Sequence, residues 1–245
     1  ILFSYLKEGQ LMKLDDGKIL LEIVKDAAGS LMTPSAAGVP EAHFHGKVVV
    51  GGTLFSGKSL AIDGLSIPLP PLTDQDLEMI PLLSRFRVTG VMQPFVRGRE
   101  DLITLRKELR KQNMDQVKIL AKIETAEGIE HLPEFLPFCD EVIIARGDLG
   151  SAVPLSKLPV IQKQISGICR MAKKPFMVVT QMLASMEHAA VPTRAEVCDI
   201  FNAVLDGADS VMVTGETAVG EYPVEAIRYL ANTAGEALRF REEKM

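Results

Sequence analysis

Val117-Lys118-Ile119-Leu120-Ala121-Lys122-Ile123-Glu124 is a mostly apolar run that closes on two charges. Read as a β-strand, its side chains alternate between two faces. Lys122 and Glu124, two residues apart, therefore project from the same face at its C-terminal end. Four further runs share this design: Gly90–Val96, Glu141–Asp148, Pro175–Gln181 and Ser210–Gly215. They are short and nearly all apolar, as parallel strands covered on both faces are. The segments between and after them read as helices: Arg99–Gln112, Ile129–Leu136, Leu158–Ala172, Thr193–Asp206 and Pro223–Glu243. Upstream, Thr73 and Asp76 form a capping arrangement ahead of Leu77, Ile80, Leu83 and Phe86 at helical spacing. The alternation is a βα repeat, which puts the chain in the α/β class as a doubly wound sheet or a barrel. A (β/α)8 TIM-type barrel needs eight strands. Only five are counted, so any such barrel is incomplete in this chain.

The first 70 residues have a different texture. Leu11-Met12-Lys13-Leu14, the turn signal Asp15-Asp16-Gly17 and Lys18–Val24 predict a hairpin. Lys47-Val48-Val49-Val50 ends at Gly51-Gly52, and no helical period is present. Pro68-Leu69-Pro70-Pro71 halts regular structure. It divides a small β-rich domain, residues 1–70, from the βα-repeat portion, residues 71–245. The opening Ile1-Leu2-Phe3-Ser4 resembles neither a signal peptide nor an anchor and reads as the interior of something longer.

Composition narrows the function classes. Hydrophobic residues make up 47% and charged residues 24% of the 245, enough for a sizeable core. Net charge is −5, which offers no general attraction for nucleic acid. Apolar runs such as Glu141–Ala145 are too short to span a membrane. Cys139, Cys169 and Cys198 are scattered, as reduced thiols in a cytoplasmic protein are.

Polar residues gather where the strands end: Lys122 and Glu124, then Arg146-Gly147-Asp148, then Thr180-Gln181, then Thr214-Gly215-Glu216-Thr217. Barrel enzymes keep their chemistry at that edge. Glu124 and Asp148, on successive strands, suit one Mg²⁺ or Mn²⁺ with positions left for substrate oxygens. Lys122 supplies a point charge for a phosphoryl group or an enolate oxygen. Gly147 offers a backbone N–H and Thr180 a neutral hydroxyl. Together they suit a keto-acid-like substrate that gains negative charge during reaction. Plainer readings stand beside each: an ion pair for Lys122 and Glu124, a turn cap for Asp148, a core hydroxyl for Thr180. His43-x-His45 has metal-ligand spacing but lies in a loop-like stretch. His131 and His188 read as surface residues without an acid–base partner. Met177, Met182, Met186 and Met212 read as core filler.

Several ordered motifs resemble those of pyruvate kinases. They are Ile119-Leu120-Ala121-Lys122-Ile123-Glu124-Thr125-Ala126-Glu127-Gly128, Ala145-Arg146-Gly147-Asp148-Leu149-Gly150 and Thr180-Gln181-Met182-Leu183-Ala184-Ser185-Met186. Pro192-Thr193-Arg194-Ala195-Glu196, Asn202–Asp209 and Gly215-Glu216-Thr217-Ala218 follow in family order. The resemblance implies phosphoryl transfer from phosphoenolpyruvate to ADP, giving pyruvate and ATP, with Mg²⁺ (or Mn²⁺) and usually K⁺. It implies that Lys122 steadies the transferring group, that Glu124 and Asp148 hold the metal, and that Gly147, Asp148 and Thr180 contact substrate. Arg146 would shape that loop, and Lys58 would touch the nucleotide from a β-rich lid. A cytoplasmic homo-oligomer is expected, with no nucleic acid or membrane partner. The family also carries three barrel strands before the lid and an effector domain after the barrel, which have no counterpart here. A preceding segment, or another chain, is expected to supply the strands. Pro94 stands where the family has Ser before Phe-Val-Arg, at odds with its K⁺ site. Two rivals remain: a metal-dependent aldolase or lyase of the phosphoenolpyruvate/pyruvate type, and a truncated, non-catalytic binding remnant.

Overall fold

The computed structural model describes residues 5–26, 29–34, 42–62, 64–65 and 69–243, without the side chains of 32–34, 42 and 43. The chain divides into two compact units, Ile1–Leu69 with Gly150–Ala152 and Pro70–Leu149 with Val153–Met245.

The first unit holds β1 (Leu11–Leu14), β2 (Ile19–Val24), β3 (Met32–Pro34), β4 (Ala42–Val50) and β5 (Leu60–Ile62). They form an antiparallel sheet in the order β3-β4-β2-β1-β5. The hairpin forms because Asp15 and Asp16 adopt left-handed backbone (φ 50° and 55°) ahead of Gly17 (φ 83°), matching the strand twist. Met12, Leu14, Ile19, Ile23 and Ile62 make its buried core. The stretch around His43 and His45, expected as a loop, is strand β4, because it pairs with β2 on one side and β3 on the other. The side chain of His43 lies outside the described residues.

The second sheet comprises β6 (Gly90–Gln93), β7 (Lys118–Ile123), β8 (Glu141–Ala145), β9 (Phe176–Val179) and β10 (Ser210–Met212). All pair in parallel and in sequence order. The helices are α1 (Asp74–Met79), α2 (Arg99–Lys111), α3 (Ala126–Glu130), α4 (Leu132–Phe135), α5 (Arg146–Ala152), α6 (Leu158–Met171), α7 (Arg194–Leu205), α8 (Gly215–Ala218) and α9 (Pro223–Glu243). None is long and apolar enough to cross a membrane among the described residues.

Alternation sorts the strand side chains into two sets. Ile119, Ala121, Ile123, Val142, Ile144, Phe176 and Val178 face the helices, packing with Leu105 and Leu109 of α2, Phe135 of α4, Ile165 of α6 and Ile200 of α7. Each fully buried Val, Ile, Leu or Phe among them contributes about 1.5–3 kcal/mol. Ile143, Ala145 and Val179 fill a second cluster on the opposite face, with Leu120, Met177 and Met212. Lys122 shares that face by alternation.

Where elements fall short of the sequence reading, the causes are local. Strand β6 stops at Gln93 because Pro94 has no N–H and Phe95 is left-handed (φ 50°). Strand β8 stops at Ala145, so Arg146, Gly147 and Asp148 open helix α5 instead of closing a strand. Helix α1 ends at Met79 because Pro81 turns the chain into a 3-10 turn, which leaves Leu77 and Phe86 exposed. The single helix expected over 129–136 is broken at His131, since Pro133 cannot donate back to Ile129. Burial pushes the Cys139 thiol up to about 11 and the Cys169 thiol to about 12. Both are therefore poor nucleophiles near neutral pH.

Two substitutions test this packing. A Cβ at Gly128, inside α3, would overlap the Val96 carbonyl oxygen. Gly128→Ala is expected to lower unfolding stability by roughly 1–3 kcal/mol in urea titration. At the start of α7, Thr193 and Glu196 form a reciprocal capping box. Burial raises the Glu196 pKa, but hydrogen bonds from Ser185 and Thr193 outweigh it and hold the carboxyl below its usual value. The stability this adds is present above the unfolded glutamate pKa, roughly 4.3, and is lost as pH falls through the lower folded value. Glu196→Gln should cost about 1 kcal/mol at pH 7, and the gap to wild type should close below about pH 4.

Candidate active site

The last paired residues of β7 and β8 are Ile123 and Ile144, so Glu124 emerges one residue beyond the ladder, continuing the face that carries Lys122. Glu124 is only 2% exposed. Its Oε2 accepts the Phe95 N–H at 2.7 Å. Left-handed Phe95 (φ 50°) aims that N–H, and the next residue, Val96, donates to the Lys122 carbonyl at 3.3 Å. Lys122 Nζ stands 2.8 Å from Glu124 Oε1, yet that oxygen receives no directed hydrogen bond. The two findings agree if the ammonium is close but lies off the lone-pair directions. A buried carboxylate oxygen is thus left with an ion-pair partner and an unused lone pair.

A second group forms where α5 meets the end of β9. Gly147 N–H donates to Thr180 Oγ1 at 2.7 Å, and that hydroxyl donates to the Val179 carbonyl at 2.6 Å. Arg146, 9% exposed, donates through Nη2 to the Thr180 carbonyl at 2.9 Å and also to Met182 Sδ. Its Nη1 meets Asp199 of α7 at 2.6 Å. Thr180 and Gln181 are both left-handed (φ 70° and 53°), an uncommon state for a β-branched residue and one that concentrates at functional sites. A Cβ on Gly147 would meet Thr180 at ordinary contact distance, 3.5 Å, so space alone does not demand glycine there.

A third carboxylate, Glu216, is 2% exposed. It accepts the Leu183 N–H at 3.0 Å and the Thr214 N–H at 2.8 Å, tying the turns after β9 and β10 together.

The structure therefore brings Lys122 to Glu124, and Arg146 and Gly147 to Thr180. Asp148 sits half-buried in the first turn of α5. Lys58 belongs to the antiparallel unit, where its ammonium lies 3.1 Å from Asp15 and holds that carboxyl below its usual value. His188, read as lacking an acid–base partner, has one: its Nδ1 is 3.1 Å from Glu221. Met182 is core as expected but also touches the buried guanidinium. Sequence reasoning missed the Phe95 N–H and Asp199, and placed Glu216 among the strand-end residues without giving it a role. Only Glu216 carried a signal, through its place in Gly215-Glu216-Thr217-Ala218.

No cluster of three or more His, Cys, Asp or Glu side chains gathers among the described residues. Mg²⁺ takes one or two protein carboxylates and completes its shell with water and substrate oxygens. The unused lone pair on Glu124 Oε1 fits such an ion.

Comparison with known sequences shows the family. The family described as "Pyruvate kinase, barrel domain" matches residues 1–227. The pyruvate kinase of Sporosarcina psychrophila is 37% identical over 95% of this chain and 38% of its own length. That of Thermotoga maritima is 36% identical over 94% of this chain and 47% of its own. Pyruvate kinase 2 of Saccharomyces cerevisiae is 37% identical over 92% and 42%, respectively. The chain thus spans less than half the length of these relatives. Its motifs, its parallel α/β sheet and these matches together make the chain a member of the pyruvate kinase family.

Proposed function

We propose that this chain carries the phosphoryl-transfer site of an enzyme that converts phosphoenolpyruvate and ADP to pyruvate and ATP. The observation that carries the reading is the Lys122–Glu124 pair at the end of β7, 2.8 Å apart, with Glu124 buried and Lys122 partly open. In the reaction, an ADP oxygen attacks phosphorus, the bond from phosphorus to the enolate oxygen breaks, and the enolate takes a proton to become pyruvate. The chemistry asks for positioning and charge stabilisation rather than covalent catalysis.

Lys122 supplies a fixed positive charge for the transferring group and the developing enolate oxygen. Glu124, held by the Phe95 N–H, keeps that ammonium close beside it. Glu124 and Asp148 would hold Mg²⁺ or Mn²⁺, which when bound neutralises phosphoryl and carboxylate oxygens. Gly147 N–H and Thr180 Oγ1 offer a donor and a hydroxyl at the rim. They are now bonded to one another, so a substrate oxygen must compete for them.

The parallel sheet in sequence order, with α2, α4, α6 and α7 packed on one face, supports an arc of a (β/α)8 barrel over a doubly wound sheet. The antiparallel unit fits a lid with Lys58 as a nucleotide contact. The family's K⁺ requirement, a homo-oligomer and a cytoplasmic setting belong to the same reading.

The test is a coupled assay with phosphoenolpyruvate, ADP and Mg²⁺, following pyruvate through NADH oxidation. Lys122→Met should lower pyruvate formation by at least about 10²-fold. Removing Lys122 leaves Glu124 buried without its counter-charge, which costs roughly 3–5 kcal/mol. Lys122→Arg, which keeps the charge, therefore serves as the folding control, and thermal melts accompany both variants. A folded wild-type chain that makes no pyruvate points to a non-catalytic binding remnant instead.

A further inference from the structure

Arg146 and Gly147, adjacent in sequence, grip Thr180 at two points. The Arg146 guanidinium holds the Thr180 carbonyl at 2.9 Å, and the Gly147 N–H holds its hydroxyl at 2.7 Å. The grip keeps Thr180 in a left-handed conformation that a β-branched residue resists, so it lasts only while the guanidinium stays in place. Arg146 cannot hold itself there. It is 9% exposed, its Nε has no hydrogen-bond partner, and the other Nη2 contact is a weakly accepting thioether. The carboxylate that meets it is Asp199, at 2.6 and 2.8 Å from Nη1. Asp199 lies three residues after Glu196 on α7, and residues so spaced are neighbours on a helix surface. Glu196 takes the Ser185 N–H and hydroxyl at 2.7 and 2.6 Å. One side of α7 thus fastens the turn after β9 at both ends, Thr180 through Arg146 and Ser185 directly.

We propose that Asp199 is a positioning residue for the transfer reaction: through Arg146 it fixes the Thr180 turn and so sets the Thr180 hydroxyl and the Gly147 N–H where substrate meets them. Asp199 touches no reacting atom itself. Its catalytic consequence rests on the phosphoryl-transfer reading; its structural consequence does not.

Amide hydrogen exchange by NMR on the full chain tests the structural consequence and pyruvate formation the catalytic one, using Asp199→Asn and Asp199→Glu. In the Asn variant the Gly147 amide should exchange about tenfold faster, while the strand amides of Ile119, Ile123 and Ile144 keep wild-type rates. The rate constant kcat should fall at least about tenfold, with KM for ADP within about twofold of wild type. The Glu variant, which restores the charge, should recover part of both losses. Gly147 exchange within about twofold of wild type in the Asn variant overturns the proposal. So does a rise shared equally by all the strand amides, which would make Asp199 a stabilising residue alone. If the Asn variant fails to fold, the Glu variant decides: selective loss of Gly147 protection supports the proposal, and uniform exchange overturns it. A wild-type chain that makes no pyruvate sinks the phosphoryl-transfer reading, while the Gly147 exchange rates still decide what Asp199 holds.

Discussion

A carboxylate that is 2% exposed at the end of an apolar strand is tolerable only if its oxygens are met, and the way Glu124 is met organises everything near it. One oxygen draws in the Phe95 N–H, which requires Phe95 to leave the extended region, which in turn ends β6. The other faces Lys122, two residues back on the same side of β7. Neighbouring strands are about 4.8 Å apart, so the turn after β6 is near enough to supply its backbone donor without distorting the ladder. The ion pair is therefore a consequence of strand parity, and the left-handed backbone at Phe95 a consequence of burying the other carboxylate oxygen.

The same logic recurs further along the sheet with the signs reversed. After β8 the buried group is a cation, Arg146, and its partners are the Thr180 carbonyl, a thioether and Asp199. After β9 and β10 it is again an anion, Glu216, which two backbone N–H groups satisfy. Each buried charge is met in part by backbone from a neighbouring turn, so residues on adjacent turns of the rim hold one another in place. Such networks rigidify a site when every member is paired and fail together when one is removed. Left-handed Thr180 belongs to this network, and the contacts from Arg146 and Gly147 sustain its strain.

What the sequence made legible was whatever depends on period and parity. The apolar runs at β7 and β9, the capping residue Thr73, and the shared face of Lys122 and Glu124 follow from spacing alone. Proline positions were visible too, but their reach was underestimated: Pro81 and Pro133 each cut a helix that hydropathy continued. The contribution of Asp199 was illegible because it depends on which helix face meets which turn, a tertiary fact that helical periodicity does not encode. The Phe95 N–H was hidden for a different reason, being a backbone group whose direction is set by a dihedral no residue type announces.

The unevenness of the two strand faces then bears on function. The face toward the helices is closed by side chains from α2, α4, α6 and α7, whereas on the other, among the described residues, Ile143, Ala145 and Val179 form the buried cluster, with Leu120, Met177 and Met212 half-covered. Lys122 rises from this second, thinner layer. An ammonium beside a buried carboxylate has less freedom to relax away from an approaching anion, because its counter-charge holds it alongside. Electrostatic stabilisation gains most when such a charge is already oriented before substrate arrives, since no reorganisation is then needed during the reaction. On the phosphoryl-transfer reading, the buried carboxylate beside Lys122 is therefore part of the chemistry, because it supplies an orientation that a solvated lysine lacks.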